Sequence, residues 1–333
     1  MYIYFVPDTK TNFMSKDTTT LNFRGNGKLL LSGEYFILDG AVGLAIPVRL
    51  GQRMSVMQGE EAGLHWQSLT LRGETWFEAR FELPTLEISS TTHDESAKIL
   101  QKIMRYARSK DLDFMRGETQ LRITTRLEFP QDWGMGSSST LIYMMAKWAK
   151  LNPFELLEKT FGGSGYDLIC AEVNTPIFFQ KQEEQRVYQP TEFGKHPETG
   201  EPLPFLKNLY LVHLNKKQNS REGIERYREW DDEDNKAQRA QQISMLTDRF
   251  QRATSLPELN AIIREHEDIV SSSLKLKMAK DLYFNDFWGE VKSLGAWGGD
   301  FVLVTSQRTP QSTKTYFREK GFKVCLKYLD VVI

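Results

Sequence analysis

The run Pro130-Gln131-Asp132-Trp133-Gly134-Met135-Gly136-Ser137-Ser138-Ser139 sets two glycines and three hydroxyls directly ahead of a helical-looking stretch, Thr140–Lys150. Glycine lets a backbone turn tightly and approach a ligand closely. Hydroxyls and unpaired amide N–H groups at a helix start favour an anion, and the helix dipole adds to that attraction. This chemistry suits a polyphosphate. The run is not a Walker A loop, because no Gly-Lys-Ser/Thr follows its glycines. Taken by itself it reads equally well as a Ser-rich N-cap before a core helix.

Two further segments shift the balance. One is Gly27-Lys28-Leu29-Leu30-Leu31-Ser32-Gly33-Glu34-Tyr35 near the N-terminus, the other Gly295-Ala296-Trp297-Gly298-Gly299-Asp300 near the C-terminus. In order and spacing the three segments resemble the three motifs of the GHMP small-molecule kinases, a family that includes galactokinase, homoserine kinase, mevalonate kinase and phosphomevalonate kinase. The central run resembles the family's Pro-x-x-x-Gly-Leu-Gly-Ser-Ser motif, with Met135 in the Leu place. The first segment resembles the Gly-Lys-x-x-x-x-Gly-Glu-His/Tyr motif of the mevalonate branch. The resemblance runs from roughly residue 25 to 305, and three ordered motifs are far more specific than any one.

Composition sets bounds. The chain has 333 residues, 40% of them hydrophobic and 26% charged, enough for one large or two modest domains with a sizeable core. Lys and Arg number 43 against 44 Asp and Glu, so no global charge pulls toward nucleic acid or anionic membrane. An RNA-binding reading is disfavoured on that ground. The two cysteines, Cys170 and Cys325, carry no paired Cys/His spacing for zinc. Few cysteines and no secretory signal point to the cytoplasm. No run reaches the ~20 apolar residues of a membrane span. Residues 1–20 read as an extension, and Met14 is an alternative start.

Leu29–Leu38 and Gly43–Gln58 read as a strand hairpin turning at Asp39-Gly40, and Leu64–Leu71 with Trp76–Leu83 as a second. Asp94–Lys110 carries Ile99, Ile103, Met104 and Ala107 at helical spacing. Thr119–Leu127 alternates as a strand, and Pro153–Lys159 reads as a short helix. Ala171–Gln180 reads as a strand, Tyr188–Pro204 as a Pro-rich loop near a domain boundary, and Asn208–Leu214 as a strand. The acidic cluster Trp230-Asp231-Asp232-Glu233-Asp234 reads as a solvated loop or helix start. From Ala237 to about Val291 the chain reads as helices broken near Pro257, followed by strand Phe301–Thr305, helix Gln311–Lys320 and strand Phe322–Leu329. This is an α+β pattern. The resemblance implies a two-domain GHMP kinase fold, with an N-terminal domain like ribosomal protein S5 domain 2, a ferredoxin-like C-terminal domain, and an active site between them. The expected division is an N-terminal nucleotide-binding domain at 21–200 and a C-terminal domain at 201–333.

Phosphoryl transfer needs a phosphate cradle, charge neutralisation and a poised nucleophile. Gly134, Met135, Gly136, Ser137, Ser138 and Ser139 are the expected cradle for ATP. Ser138, with Ser137 as alternative, is the expected Mg²⁺ ligand. Trp133 and Trp297 read either as adenine stackers or as packing. Gly163-Ser164-Gly165-Tyr166-Asp167 resembles the Ser-Gly-Val-Asp segment of mevalonate kinase, with Tyr166 in the Val place; this implies Asp167 as general base, against the plain reading of a turn cap. Lys28 is its expected partner, stabilising the developing alkoxide or the γ-phosphate; the alternative is a surface lysine.

Glu34 and Tyr35 are expected to hydrogen-bond within the site or contact substrate, Gly298 and Gly299 to fold against the nucleotide, and Glu158, ahead of Glu155, to supply a second magnesium ligand. The basic segment Lys216-Lys217-Gln218-Asn219-Ser220-Arg221 is either a solvated loop or, through Ser220 and Arg221, a site for an acidic substrate. Asp300 stands where the family usually has a small or apolar residue. The resemblance thus implies an ATP- and Mg²⁺-dependent kinase acting on a hydroxyl or phosphate of a small metabolite, mevalonate or phosphomevalonate first. A sugar kinase of the same family and a catalytically inactive metabolite sensor stay open, as does a homodimer; neither nucleic acid nor membrane is an expected partner.

Overall fold

The computed structural model describes residues 20–183, 185–217, 220–230, 233–297 and 299–333. The chain forms two compact units. The first holds Leu50–Gln131 and Gly136–Glu172, with the described residues up to Gly27; the second holds Lys28–Arg49, Asp132–Met135 and Val173–Ile333. This differs from a single cut after residue 200, because the long strands β1 (Leu21–Ser32) and β2 (Gly43–Gln58) each contribute to both units.

The first unit adds β3 (Gly63–Leu69), β4 (Thr75–Phe81), β5 (Ile88–Thr91), α1 (Asp94–Lys110), β6 (Gln120–Leu127), α2 (Ser137–Ala149), α3 (Pro153–Thr160) and α4 (Tyr166–Glu172). Its sheet runs β5-β4-β3-β6-β2. Pairing is antiparallel except between β3 and β6, where Trp66 lies opposite Ile123 in parallel register. Alternate residues of β6 are buried, as a strand with one face on a core requires. That face meets Leu100, Ile103, Met104 and Ala107 of α1 and Ile142 and Met145 of α2, around Trp66, Phe77 and Phe81. The α1 boundaries follow from local chemistry: the His93 side chain accepts from the Ser96 N–H, acidic residues fill the first turn and basic ones the last.

The second unit adds β7 (Ile177–Gln182), β8 (Gln185–Pro190), β9 (Leu209–His213), α5 (Ser220–Arg228), α6 (Glu233–Arg252), α7 (Leu256–Leu274), α8 (Ala279–Tyr283), β10 (Val291–Ser293), β11 (Phe301–Thr305), α9 (Pro310–Glu319), β12 (Cys325–Lys327) and α10 (Tyr328–Val331). Here Gly43–Ala45 of β2 pairs with β7, and β7 with β8. A separate antiparallel sheet runs β10-β11-β9-β12. Helices connect β9 to β10 and β11 to β12, so this part is the β-α-β-β-α-β arrangement of ferredoxin-like folds. Its core is Tyr210, Val212, Val302, Val304, Phe284 and Phe317.

Two local expectations are corrected. The first strand ends at Ser32, not Leu38, because Gly33 (φ 106°) and Tyr35 (φ 59°) turn the chain into a short 3-10 helix at Phe36–Asp39. The strand expected over Ala171–Gln180 starts only at Ile177, because Ala171 and Glu172 close the helix Tyr166–Glu172. The break expected near Pro257 is present: α6 ends at Arg252, and Pro257 stands in the first turn of α7, where a proline loses no intrahelical bond. Asp231 and Asp232 lie outside the described residues.

Candidate functional site

Helix α2 begins three residues earlier than its apolar periodicity announces, so Ser137, Ser138 and Ser139 form its first turn. Its N-cap is Gly136 at φ 90°, which offers no side chain to the free N–H groups of that turn. Gly134, at φ 61°, supplies the second left-handed turn. Both conformations suit glycine. Thr140 donates from Oγ1 to Gln52 Oε1 at 2.6 Å, tying the first turn of α2 to β2. The result is a helix start with amide donors and two accessible hydroxyls, Ser137 half-buried and Ser138 exposed. An anion fits this cradle.

In the first unit Ser139 Oγ donates to Asp167 Oδ2. Asp167 stands in the first turn of α4, half-buried, and its other oxygen accepts from the Leu168 N–H at 3.1 Å. The candidate base and the last cradle serine are therefore brought together. Glu158 is exposed on α3, and Glu155 is engaged by Tyr106 and Lys110. Among the described residues no cluster of three His, Cys, Asp or Glu side chains is gathered for a metal.

In the second unit Lys28 Nζ donates to the Gly134 carbonyl at 2.9 Å, and the Lys28 N–H donates to Met135 O at 3.1 Å. Lys28 thus braces the loop rather than lying on open surface. Trp133 packs edge-on against Phe301 at 5.3 Å, and Trp297 is buried, so both serve packing. His213 Nε2 lies 3.0 Å from Asp132 O. Gly299 is buried; Gly298 and the side chains of Ser220 and Arg221 lie outside the described residues. Asp300, at φ 52°, is held by its N–H donated to Lys216 O and its carbonyl accepting from Leu214 N–H. Its carboxylate lies where a Cβ on Gly134 would go.

That overlap makes Gly134→Ala costly. We expect about 2–4 kcal/mol of destabilisation, from left-handed backbone strain plus overlap. In an Asp300→Gly background only the backbone part, about 1–2 kcal/mol, should remain. Urea denaturation of the four proteins checks this; equal costs in both backgrounds would mean that the carboxylate is not seated on the glycine.

Glu34 and Tyr35 are buried within the second unit. Glu34 is 0% exposed. Its Oε1 accepts from Lys292 Nζ at 2.7 Å, and its Oε2 lies 3.1 Å from His266 Nε2. Burial alone would push the carboxyl up, but Lys292 and then His266 hold it at about 2. Tyr35 is stacked on Tyr227 at 5.8 Å; burial, then the charge of Glu34, push its phenol up to about 12. Lys292, His266 and Glu267 were not singled out from the sequence. A signal existed: His266 and Glu267 continue the buried stripe of Leu259, Ile262, Ile263 and Val270 on α7, where polar residues need partners.

Glu267 is buried with Oε2 accepting from Ser293 Oγ at 3.1 Å, and burial, only partly offset by Lys292, pushes its carboxyl up to about 8. A carboxyl raised in the folded state contributes stability that is complete below its ordinary value and is lost as pH rises through about 8. We expect the wild type to lose stability between about pH 5 and about pH 8, and Glu267→Gln to flatten that decline. Denaturant titrations at the two pH values read it; parallel curves would refute the assignment.

No protein-family model and no curated protein sequence matches the chain. Solved structures do. L. major mevalonate kinase in complex with R-mevalonate is similar over 95% of this chain and 96% of its own, at 14% identity and a TM-score of 0.66. Streptococcus pneumoniae phosphomevalonate kinase with phosphomevalonate and AMPPNP is similar over 92% of this chain and 99% of its own, at 15% identity and a TM-score of 0.63. Lactococcus lactis galactokinase with galactose covers 90% of this chain and 88% of its own, at 12% identity and a TM-score of 0.62. With its ferredoxin-like sheet, its α+β first unit and these likenesses along nearly all of its length, the chain has the fold of the GHMP small-molecule kinases.

Proposed function

We propose that this protein is an ATP- and Mg²⁺-dependent kinase of GHMP type that phosphorylates a hydroxyl or phosphate of a small metabolite in the cytoplasm. The observation that carries the reading is the bond from Ser139, in the first turn of the glycine-flanked helix, to the Asp167 carboxylate. Mevalonate and phosphomevalonate are the first acceptors to test, because the Gly33-Glu34-Tyr35 and Gly165-Tyr166-Asp167 segments resemble that branch and similar folds bind R-mevalonate and phosphomevalonate.

Bound Mg·ATP would supply the phosphoryl group and neutralise charge on it. The amides of the α2 first turn would hold the phosphates, and the Ser138 hydroxyl would reach the metal. Lys28 donates to the carbonyl of Gly134 and would hold that turn of the loop in place. Asp167 would take the proton of the acceptor hydroxyl at its Oδ atoms as the new O–P bond forms. Ser139 orients that carboxylate and occupies one of its lone pairs.

A metabolite sensor without turnover is favoured by one observation, the Asp300 carboxylate against Gly134. The deciding experiment is ATP consumption with Mg²⁺ across mevalonate, phosphomevalonate, diphosphomevalonate, galactose and homoserine. Turnover with one acceptor identifies the substrate. Nucleotide binding without turnover on any points to an acceptor outside this set or to the sensor reading, and no nucleotide binding at all rejects both kinase and cradle.

A further inference from the structure

Three cationic side chains converge on one cavity of the second unit, about 330 Å³ in volume, at the start of β9. Lys207 comes from the 3-10 turn Pro204–Asn208, Arg308 from the loop between β11 and α9, and Lys327 from the end of β12. All three are exposed, and among the described residues none of them forms an ion pair. Asp330 of α10 also lines the cavity, so three cations face one carboxylate and the cavity is net positive. Like charges held together repel, and an anion between them relieves that cost.

Arg308 is set in place before any ligand arrives. Its guanidinium lies 3.8 Å from the centre of the Trp288 ring. Its N–H donates to Ser306 Oγ at 3.2 Å, and the same oxygen accepts from Trp288 Nε1 at 2.8 Å. Asn208 Nδ2 donates to the Ser306 carbonyl at 2.8 Å, which ties this loop to the turn that carries Lys207. A guanidinium fixed in one plane loses little freedom on binding a phosphate, and its paired donors match the phosphate oxygens. Pro310, the first residue of α9, lines the same cavity, so the positive end of that helix adds to the field. Leu206 and Tyr210 are buried lining residues and Leu329 is 45% exposed, which gives the cavity apolar wall as well.

Within the second unit this cavity and the loop residues Asp132–Met135 belong to opposite ends of one strand pair. Leu209 pairs with Thr305 at the cavity end, and His213 pairs with Phe301, on which Trp133 packs. Four residues of strand, about 13 Å, separate the two ends. We propose that the cavity is a second ligand site, for a small phosphomonoester that carries a hydroxyl: Arg308, Lys207 and Lys327 take the phosphate, and Asp330 accepts from the hydroxyl. None of these residues belongs to the glycine loop or to the Asp167 site.

The test is acetylation of the full chain by an N-hydroxysuccinimide ester, read by mass spectrometry at Lys207 and Lys327. Glycerol 3-phosphate is titrated against the reaction, with sodium chloride at matched ionic strength as the comparison. We expect the phosphoester to protect both lysines with one common midpoint, and chloride to protect neither. Arg308→Gln should raise that midpoint about tenfold. Lys327→Gln, read at Lys207, should raise it in the same way. Both replace exposed side chains, and thermal unfolding verifies the variants. Inorganic phosphate, titrated likewise, should need a higher concentration than the phosphoester, and Asp330→Ala should narrow that difference. Protection no greater than with chloride, or a midpoint that neither Arg308→Gln nor Lys327→Gln moves, overturns the site. A preference for the phosphoester that Asp330→Ala leaves unchanged overturns the role of Asp330.

Discussion

Asp167→Asn should lower phosphoryl transfer by about 10²–10⁴-fold while leaving Mg·ATP binding essentially unchanged. The substitution keeps the shape of the side chain and an oxygen for the Ser139 hydroxyl and the Leu168 N–H, so the first turn of α4 should hold. What it removes is the ability to accept a proton. Single-turnover assays with whichever acceptor supports turnover, together with equilibrium ATP binding, separate the two effects. Ser139→Ala should have a smaller effect, about tenfold, because it frees a lone pair of the carboxylate and relaxes its orientation without removing the base. If Asp167 only caps its helix, Asp167→Asn would leave turnover intact and cost at most about 1 kcal/mol of stability. That outcome would return the loop to an anion site without an assigned base.

Much of the scaffold behind this site was readable in the sequence where a pattern repeats often enough to be decisive. Strand β2 at Gly43–Gln58, helix α1 at Asp94–Lys110 and strand β11 at Phe301–Thr305 fall where alternation or helical spacing places them. The failures share a physical cause. Leu29–Leu38 is apolar on both sides of Gly33, and hydropathy does not register that Gly33 and Tyr35 adopt positive φ. Leu168 to Ala171 is a short apolar run that fits either a buried strand or a buried helix, and here it is helix. At the candidate site, the left-handed turns at Gly134 and Gly136 were legible because they demand glycine, and Asp167 was singled out because its segment resembles a known one. The fate of Glu34 was not legible: its partner Lys292 lies 258 residues away, and only the folding of the second unit brings them together. The seating of Asp300 on Gly134 was illegible for the same reason.

The largest stability effect is expected at that buried pair. Glu34, Lys292 and His266 are all fully enclosed. Taking two charges out of water is expensive, and the 2.7 Å contact between Lys292 and Glu34 is what offsets it. Lys292→Met keeps most of the side-chain stem but strands the carboxylate, and also removes the donor to the Ser293 carbonyl. We expect a loss of about 3–5 kcal/mol. Adding Glu34→Leu should recover most of it, since an apolar pair needs no compensating charge. The pH dependence follows from the same carboxyl. Held at about 2 in the folded wild type, Glu34 contributes stability that is complete above its ordinary value and is lost as pH falls through about 2. The deficit of Lys292→Met relative to wild type should therefore shrink in acid, as the stranded carboxyl takes up a proton in the variant first. Urea denaturation of wild type, single and double variants at neutral and mildly acidic pH measures all three quantities. A single-variant loss below about 1 kcal/mol, or no recovery in the double variant, would show that the pair does not hold Glu34 in place. Since Glu34 directly precedes the positive-φ Tyr35, losing Lys292 also releases the turn that follows Lys28 and its strand, and so couples the stability of this pair to the loop that Lys28 braces.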